Sequence, residues 1–404
     1  MRNVAFVAPF PLETTVRFAR AVARLSGVRL LGICQEPCGG QDGALFADQV
    51  RVADGLDTRQ LIEAARLLER RYGKLHRVLG ILEPLQVQLG ELRRALGVPG
   101  TDPETADLFR DKARMKDELR RHGLPCARHR LIRSWADAEA FVGEVGLPLV
   151  LKPPAGMGCK ATWRVRGGDE LRAALGAMHA SPERPALAEE FLRGREHSFE
   201  TITVGGRVRF ESLSRYHPTP LEVMETPWIQ WVVVLPRVID GPEFADVRAL
   251  GRRVIEVLGL ETGFTHMEWF RRDDGSLAIG EIAARPPGAH IVLANSYAHD
   301  ADMYRAWARA VVDDAFDGPY ERKYAVGIAY LRGVGRGRVS GITGVERANE
   351  RVGRLVVESR LPRVGTPRSD SYEGDGYVIV RDPDTEVVKA AMQTIIETVQ
   401  VQYA

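Results

Sequence analysis

An α/β (α+β) fold of two or three domains is predicted for this 404-residue chain, and three features predict it. Strand-like and helix-like segments alternate through the first hundred residues, and a second αβ unit runs from 129 to 191. Two strand-like segments, 263–271 and 276–284, flank the turn Arg272-Asp273-Asp274-Gly275, which is hairpin chemistry.

The first region reads as strand 3–8, helix 13–26, strand 28–34, helix 58–72, strand 77–82 and helix 84–96, the order of a parallel sheet. Its first strand leads into Pro9-Phe10-Pro11-Leu12-Glu13, with no G-x-G-x-x-G to receive a pyrophosphate, so a dinucleotide cofactor is not expected there. A helix over 105–123 follows, with Lys112 inside it and Gly123 before Pro125 as the stop signal. Next come strand 129–132, helix 135–145, strand 148–152, strand 162–166, helix 168–179 and strand 186–191. Strands 196–205 and 207–214 pair around Gly205-Gly206, and 215–230 reads as an irregular loop with three prolines and an aromatic cluster. In helix 242–258, Val247, Leu250, Val254 and Leu258 fall on one stripe, which is packing. Helix 300–314 follows the second hairpin, and from about 322 strands and glycine turns lead to helix 384–399.

Composition excludes several classes. Hydrophobic residues at 45% and charged residues at 27% are those of a globular chain, and a formal charge of +2 argues against a nucleic-acid partner. No apolar run approaches transmembrane length and the N-terminus lacks the apolar core of a secretory signal, so no membrane partner is expected. Cys34, Cys38, Cys126 and Cys159 do not complete a zinc pattern, and a reducing cytoplasm is the expected home.

The informative residues are Glu268 and Glu281, which the hairpin brings to one side, and Arg285 in Gly280-Glu281-Ile282-Ala283-Ala284-Arg285-Pro286-Pro287-Gly288. Magnesium takes oxygen ligands and keeps one or two carboxylates plus substrate phosphates, so this pair reads as a Mg-nucleotide site. Lys152 ends an apolar strand, where a buried ammonium needs an anionic partner. The turn Ala155-Gly156-Met157-Gly158-Cys159-Lys160 follows, and its small residues would let backbone N–H groups approach phosphate oxygens. The turn joins two strands and lacks G-x-x-x-x-G-K-[ST], which argues against a P-loop.

In order, Lys112, Lys152, the glycine turn, Glu189-Glu190-Phe191-Leu192-Arg193-Gly194-Arg195-Glu196, Glu268 and Glu281 through Gly288 resemble the ATP-grasp superfamily, nearest to carboxylate-amine ligases of the L-amino-acid or dipeptide type. The resemblance covers roughly residues 1–315. It implies a Rossmann-like pre-ATP-grasp domain at 1–104 and an ATP-grasp domain at 105–315, with a small lobe at about 125–192 and a large lobe at about 193–315. A β-rich region at 316–404 would complete the catalytic lobe.

The resemblance further implies that Lys112 and Lys152 contact ATP phosphates with Gly156, Gly158 and Lys160 of the turn, and that Arg285 and Lys152 serve catalysis. Glu189, or backbone near it, would take the adenine amino group beside Glu190, while Phe191 and Leu192 supply backbone and apolar contacts and Glu196 binds ribose. Glu268 and Glu281 would hold Mg2+, with Mn2+ an alternative, and Arg285 would neutralise the transferred phosphate. Ala283 stands where the family often has asparagine, which puts one metal ligand in question. His266, two residues before Glu268, either orients a phosphate, bonds the metal-binding acid or is structural. Tyr216, Trp228, Arg285, Gly288 and His290 are candidate substrate contacts.

The implied reaction is ATP-dependent joining of a small-molecule carboxylate to an amine through an acyl phosphate, releasing ADP and phosphate, with a homodimer as the family-based assembly. Two rivals remain: a bicarbonate-activating carboxylase of the same fold, and a catalytically silent ATP-binding regulatory protein.

Overall fold

The computed structural model describes every residue except Met157 of the glycine turn and Pro227 of the 215–230 segment. At the N-terminus, strands Arg2–Val7, Val28–Cys34, Asp48–Arg51 and Leu75–Leu79 form a parallel sheet, with Arg2–Val7 between Val28–Cys34 and Leu75–Leu79. Residues 4–7 are buried on both faces, as a sheet sandwiched between helices requires. Chain order reverses at Arg2–Val7, so the crevice outside the carboxyl ends of Arg2–Val7 and Leu75–Leu79 is the natural ligand-facing edge. The strand expected at 77–82 begins earlier and stops at Leu79, and a short 3-10 turn, Glu83–Leu85, follows. Strand Asp48–Arg51 went unpredicted because its sequence, Asp48-Gln49-Val50-Arg51, shows almost no apolar alternation.

The helix predicted over 105–123 is two helices, Pro103–Arg110 and Lys112–Arg121. Asp111 between them is extended, and its carboxylate accepts from the N–H of Ala113 at 2.9 Å and of Arg114 at 3.0 Å. It is an N-cap, so Lys112 opens the second helix rather than lying inside one long helix.

Strands His129–Ile132, Ala186–Glu190, Leu149–Lys152 and Trp163–Val165 make a four-stranded antiparallel sheet in that spatial order. Phe141 and Leu171, from helices Trp135–Val145 and Gly168–Ala177, pack with Leu149, Leu151 and Val165 against one face.

The largest sheet has eight antiparallel strands, ordered Leu277–Ala283, Gly263–Arg272, Gly194–Val204, Arg207–His217, Trp231–Leu235, Ala325–Leu331, Gly376–Asp382 and Val356–Arg360. Three of its strands thus come from beyond residue 315. Gly194 is required at the start of its strand, because a Cβ there would stand 2.2 Å from the carbonyl oxygen of Arg271.

The 215–230 segment is more ordered than predicted: the preceding strand runs on to His217, and helix Pro220–Glu225 follows, closed by a Thr219/Glu222 capping box. The helix predicted at 300–314 is Met303–Asp313, opened by the Asp302 cap, and an unpredicted helix, Ile291–His299, precedes it. The C-terminal helix is Thr385–Thr398, and an unpredicted helix spans Val345–Val352. No helix among the described residues is long and apolar enough to cross a membrane.

Candidate active site

Between the four-stranded and eight-stranded sheets lies a cavity of about 530 Å³. Its walls include Lys112, Lys152, Gly156, Gly158, Lys160, Glu189, Glu190, Phe191, Leu192, Glu196, Tyr216, His266, Glu268, Glu281, Arg285 and Gly288. Residues spread over nearly 180 positions thus share one space. Trp228 and His290 are not among the lining residues: Trp228 is 64% exposed, and the His290 ring packs 3.9 Å from that of Tyr377.

The carboxylate pair follows from strand register. Glu268 faces Glu281, and His266 faces Ala283, so all four lie on one face of the hairpin. Glu281 stands 3.5 Å from Lys112 Nζ and 3.6 Å from Lys152 Nζ. Burial alone would raise its pKa, but the two lysines prevail and hold it at about 2. Among the described residues no ion pair reaches Glu196, and Lys152 offsets its surroundings only in part. Burial and the charges of Glu268 and Glu281 push its carboxyl well above the ordinary range.

Lys152 is 2.9 Å from Glu189 as well as near Glu281, and although burial opposes it, these acids raise its pKa. Lys116, absent from the sequence-based set, is fully buried, lies 2.8 Å from Glu189 and donates to the Gly280 carbonyl. For Lys116 burial outweighs Glu189, and its pKa falls. It lies one helical turn beyond Lys112, so the i,i+4 spacing was its available signal. The Glu189 carboxylate thus stands between two ammonium groups, Lys116 at Oε1 and Lys152 at Oε2.

Glu190 points elsewhere, to Arg128 Nε and Arg272 Nη2, each at 3.0 Å, and fastens the connection between the two sheets. Next to it the Phe191 ring lies 4.5 Å beneath the Arg164 guanidinium. His266 gives Nδ1 to Glu200 at 3.0 Å, while its Nε2 is 3.7 Å from Glu268 and 3.4 Å from the Tyr216 hydroxyl. Burial disfavours the imidazolium, but Glu200 and Glu268 raise its pKa to about 9. Glu200 was also missed, although Glu196, Ser198 and Glu200 alternate onto one face.

Arg285 is paired: Nε and Nη2 reach Glu83 at 3.1 and 2.7 Å, and Nη1 donates to the Pro286 carbonyl at 2.9 Å. In the glycine turn and directly after it, Gly158, Cys159 and Ala161 have φ of 62°, 56° and 52°, left-handed backbone that the last two, lacking glycine's freedom, rarely adopt. The Gly156 carbonyl accepts from Lys112 Nζ at 2.9 Å and Arg110 Nη1 at 3.1 Å.

Fold and cleft together define a class: a two-sheet clamp around a cavity with lysines and paired carboxylates at one end and an aromatic hinge at the other. Residues 117–293 match the family model of the ATP-grasp domain. It is 26% identical over 251 residues to the L-arginine-specific L-amino acid ligase of Bacillus subtilis, covering 61% of this chain and 60% of the relative. It is 29% identical over 172 residues to the D-alanine–D-alanine ligase of Bordetella pertussis, covering 42% of this chain and 51% of that enzyme. The chain thus spans less than two thirds of the length of either relative. In fold it resembles an L-amino acid ligase structure from Bacillus licheniformis, with a TM-score of 0.83 at 18% identity, covering 100% of this chain and 99% of that one.

Proposed function

We propose that this protein is an ATP-dependent carboxylate-amine ligase acting on amino-acid or small-peptide substrates. The observation that carries this reading is the convergence of Lys112, Lys152, Glu268, Glu281 and Arg285 on one cavity whose other end is Phe191, Leu192 and Glu196. The similarity to amino-acid ligases supports the substrate class.

In this reading Phe191 and Leu192 flank adenine and Glu196 meets ribose, while Lys112 and Lys152 face the phosphates. Glu268 and Glu281 would hold Mg2+ or Mn2+. The donor set fits a hard cation: two carboxylates face each other across the hairpin, and the raised Glu196 carboxyl marks a local excess of negative charge. When bound, the cation would supply positive charge to the phosphate oxygens. The substrate carboxylate attacks the γ-phosphorus in line, forming an acyl phosphate and ADP. The amine then attacks the carbonyl carbon and phosphate leaves. The protein's part is to position and to offset charge, since this chemistry needs no protein nucleophile.

ADP release measured across a panel of amino-acid pairs, with hydroxylamine as trap and mass spectrometry of products, tests the proposal. The expected result is a product equal to two substrates minus water, and a hydroxamate when hydroxylamine replaces the amine. ADP release that depends on bicarbonate without a hydroxamate would replace this reading with a carboxylase. Tight ATP binding without turnover for any pair would leave a binding protein.

A further inference from the structure

One buried acid outside the nucleotide site touches two parts of it at once. Glu83 is 5% exposed and opens the 3-10 turn Glu83–Leu85, four residues past the end of strand Leu75–Leu79. It therefore projects from the crevice edge of the N-terminal sheet. One carboxylate oxygen, Oε2, takes the two bonds from Arg285; the other, Oε1, accepts from Arg110 Nη1 at 3.0 Å. Arg110 in turn donates to the carbonyls of Ala155 and Gly156 in the glycine turn. We propose that Glu83 is a positioning residue, which fixes the guanidinium of Arg285 at the phosphate end and, through Arg110, the glycine turn that faces it.

The inference rests on the ligase reading above and adds to it a role for the N-terminal αβ unit. A guanidinium has five N–H donors, and Arg285 commits three of them, to Glu83 and Pro286. The remaining donors are aimed by that grip. Without Glu83 the charge of Arg285 persists but its orientation does not, and electrostatic stabilisation depends on preorganised direction. Arg110 and Arg285 would also lose the anion that both bond. The turn is affected by the same loss. Its carbonyls are held by Arg110 and by Lys112, so releasing Arg110 leaves a segment with three left-handed residues fastened by fewer bonds.

The test compares Glu83→Gln, which keeps volume but not charge, with Glu83→Asp, which keeps charge at shorter reach. Under the proposal Glu83→Gln lowers kcat roughly ten- to a hundredfold while KM for ATP changes less than about threefold, and Glu83→Asp recovers part of kcat. Limited trypsin digestion followed by mass spectrometry reads the second arm: cleavage after Lys160 in the turn accelerates in Glu83→Gln and in Arg110→Gln. A wild-type kcat in Glu83→Gln would overturn the proposal. So would loss of activity in proportion to a fall in Tm, with Glu83→Asp no better than Glu83→Gln. Should the wild-type protein release no ADP with any substrate pair, the ligase reading fails. The rate of cleavage after Lys160 still decides whether Glu83 holds the turn.

Discussion

Glu281 carries its negative charge in a partly buried site because Lys112 and Lys152 stand 3.5 and 3.6 Å away. Neutralising it removes one of two facing carboxylates and leaves the charge of both lysines less balanced. Glu281→Gln is therefore expected to lower turnover roughly a hundredfold or more, the scale of losing one preorganised group, while the protein still folds because Glu189 keeps Lys152 paired. ADP release and a thermal melt measured side by side check this; an unchanged rate would remove Glu281 from the site. Residues of this kind were legible in the sequence because each lies in a local motif: a hairpin for Glu268 and Glu281, a strand end for Lys152. Glu83 has no such context. It meets Arg285 across 202 positions, and only the packing of the N-terminal crevice against the hairpin brings them together. Lys116 and Glu200 stand between these cases, since helix spacing and strand alternation pointed at them without saying that either was buried.

Among the elements, helix Pro220–Glu225 is the one whose sequence misled most. The prolines of the 215–230 segment read as loop, yet Pro220 at the first helical position and the Thr219 cap favour a short helix. Asp111 misled oppositely, a polar residue in a helical pattern that proves to be a cap. Helix Ile291–His299 hid for a third reason: Ile291, Val292, Leu293, Ala294, Asn295 and Ala298 are all buried, so no apolar stripe separates from a polar one. Of the hairpins, with their plain alternation and glycine turns, the one at Gly263–Arg272 and Leu277–Ala283 was found to within a residue at each end, whereas Gly194–Val204 and Arg207–His217 both run longer than predicted. Helix Pro220–Glu225 also brings Thr219 through Glu222 over the cavity and ends at Glu225, which lies 3.4 Å from Arg164 and 3.2 Å from Arg166 on the opposite sheet. An acid at a helix C-terminus is unfavourable by itself, and these arginines offset that cost while joining the helix to the far side of the cleft. Partly exposed pairs of this kind contribute about 1 kcal/mol, so Glu225→Ala is expected to leave Tm nearly unchanged and to speed release of a fluorescent ATP analogue up to about fivefold. Stopped-flow dissociation would measure it, and a release rate equal to wild type would mean that the helix does not gate the cleft.

Across the whole molecule, the described contacts between the two clamping sheets centre on charge. Lys116 belongs to helix Lys112–Arg121, Glu189 and Lys152 to the four-stranded sheet, and Gly280 and Glu281 to the edge of the eight-stranded sheet, so one buried cluster ties three elements together. Glu189 is its hub. Burial would raise its pKa, but Lys116 and Lys152 lower it from 4.5 to about 2. A carboxylate with a depressed folded-state pKa contributes stability that is fully present above its unfolded value and is lost as pH falls through the folded one. The loss therefore develops between pH 4.5 and about 2 and amounts to about 3 kcal/mol in all. Wild-type protein is expected to be more stable than Glu189→Gln near pH 7, with the difference shrinking by roughly 2 kcal/mol by pH 3 as the wild-type carboxylate is protonated. Urea midpoints of both proteins across that range give the measurement. A gap that stayed constant from pH 7 to pH 3 would show that Glu189 is not the charge joining the clamp, and that the sheets are held by apolar packing instead.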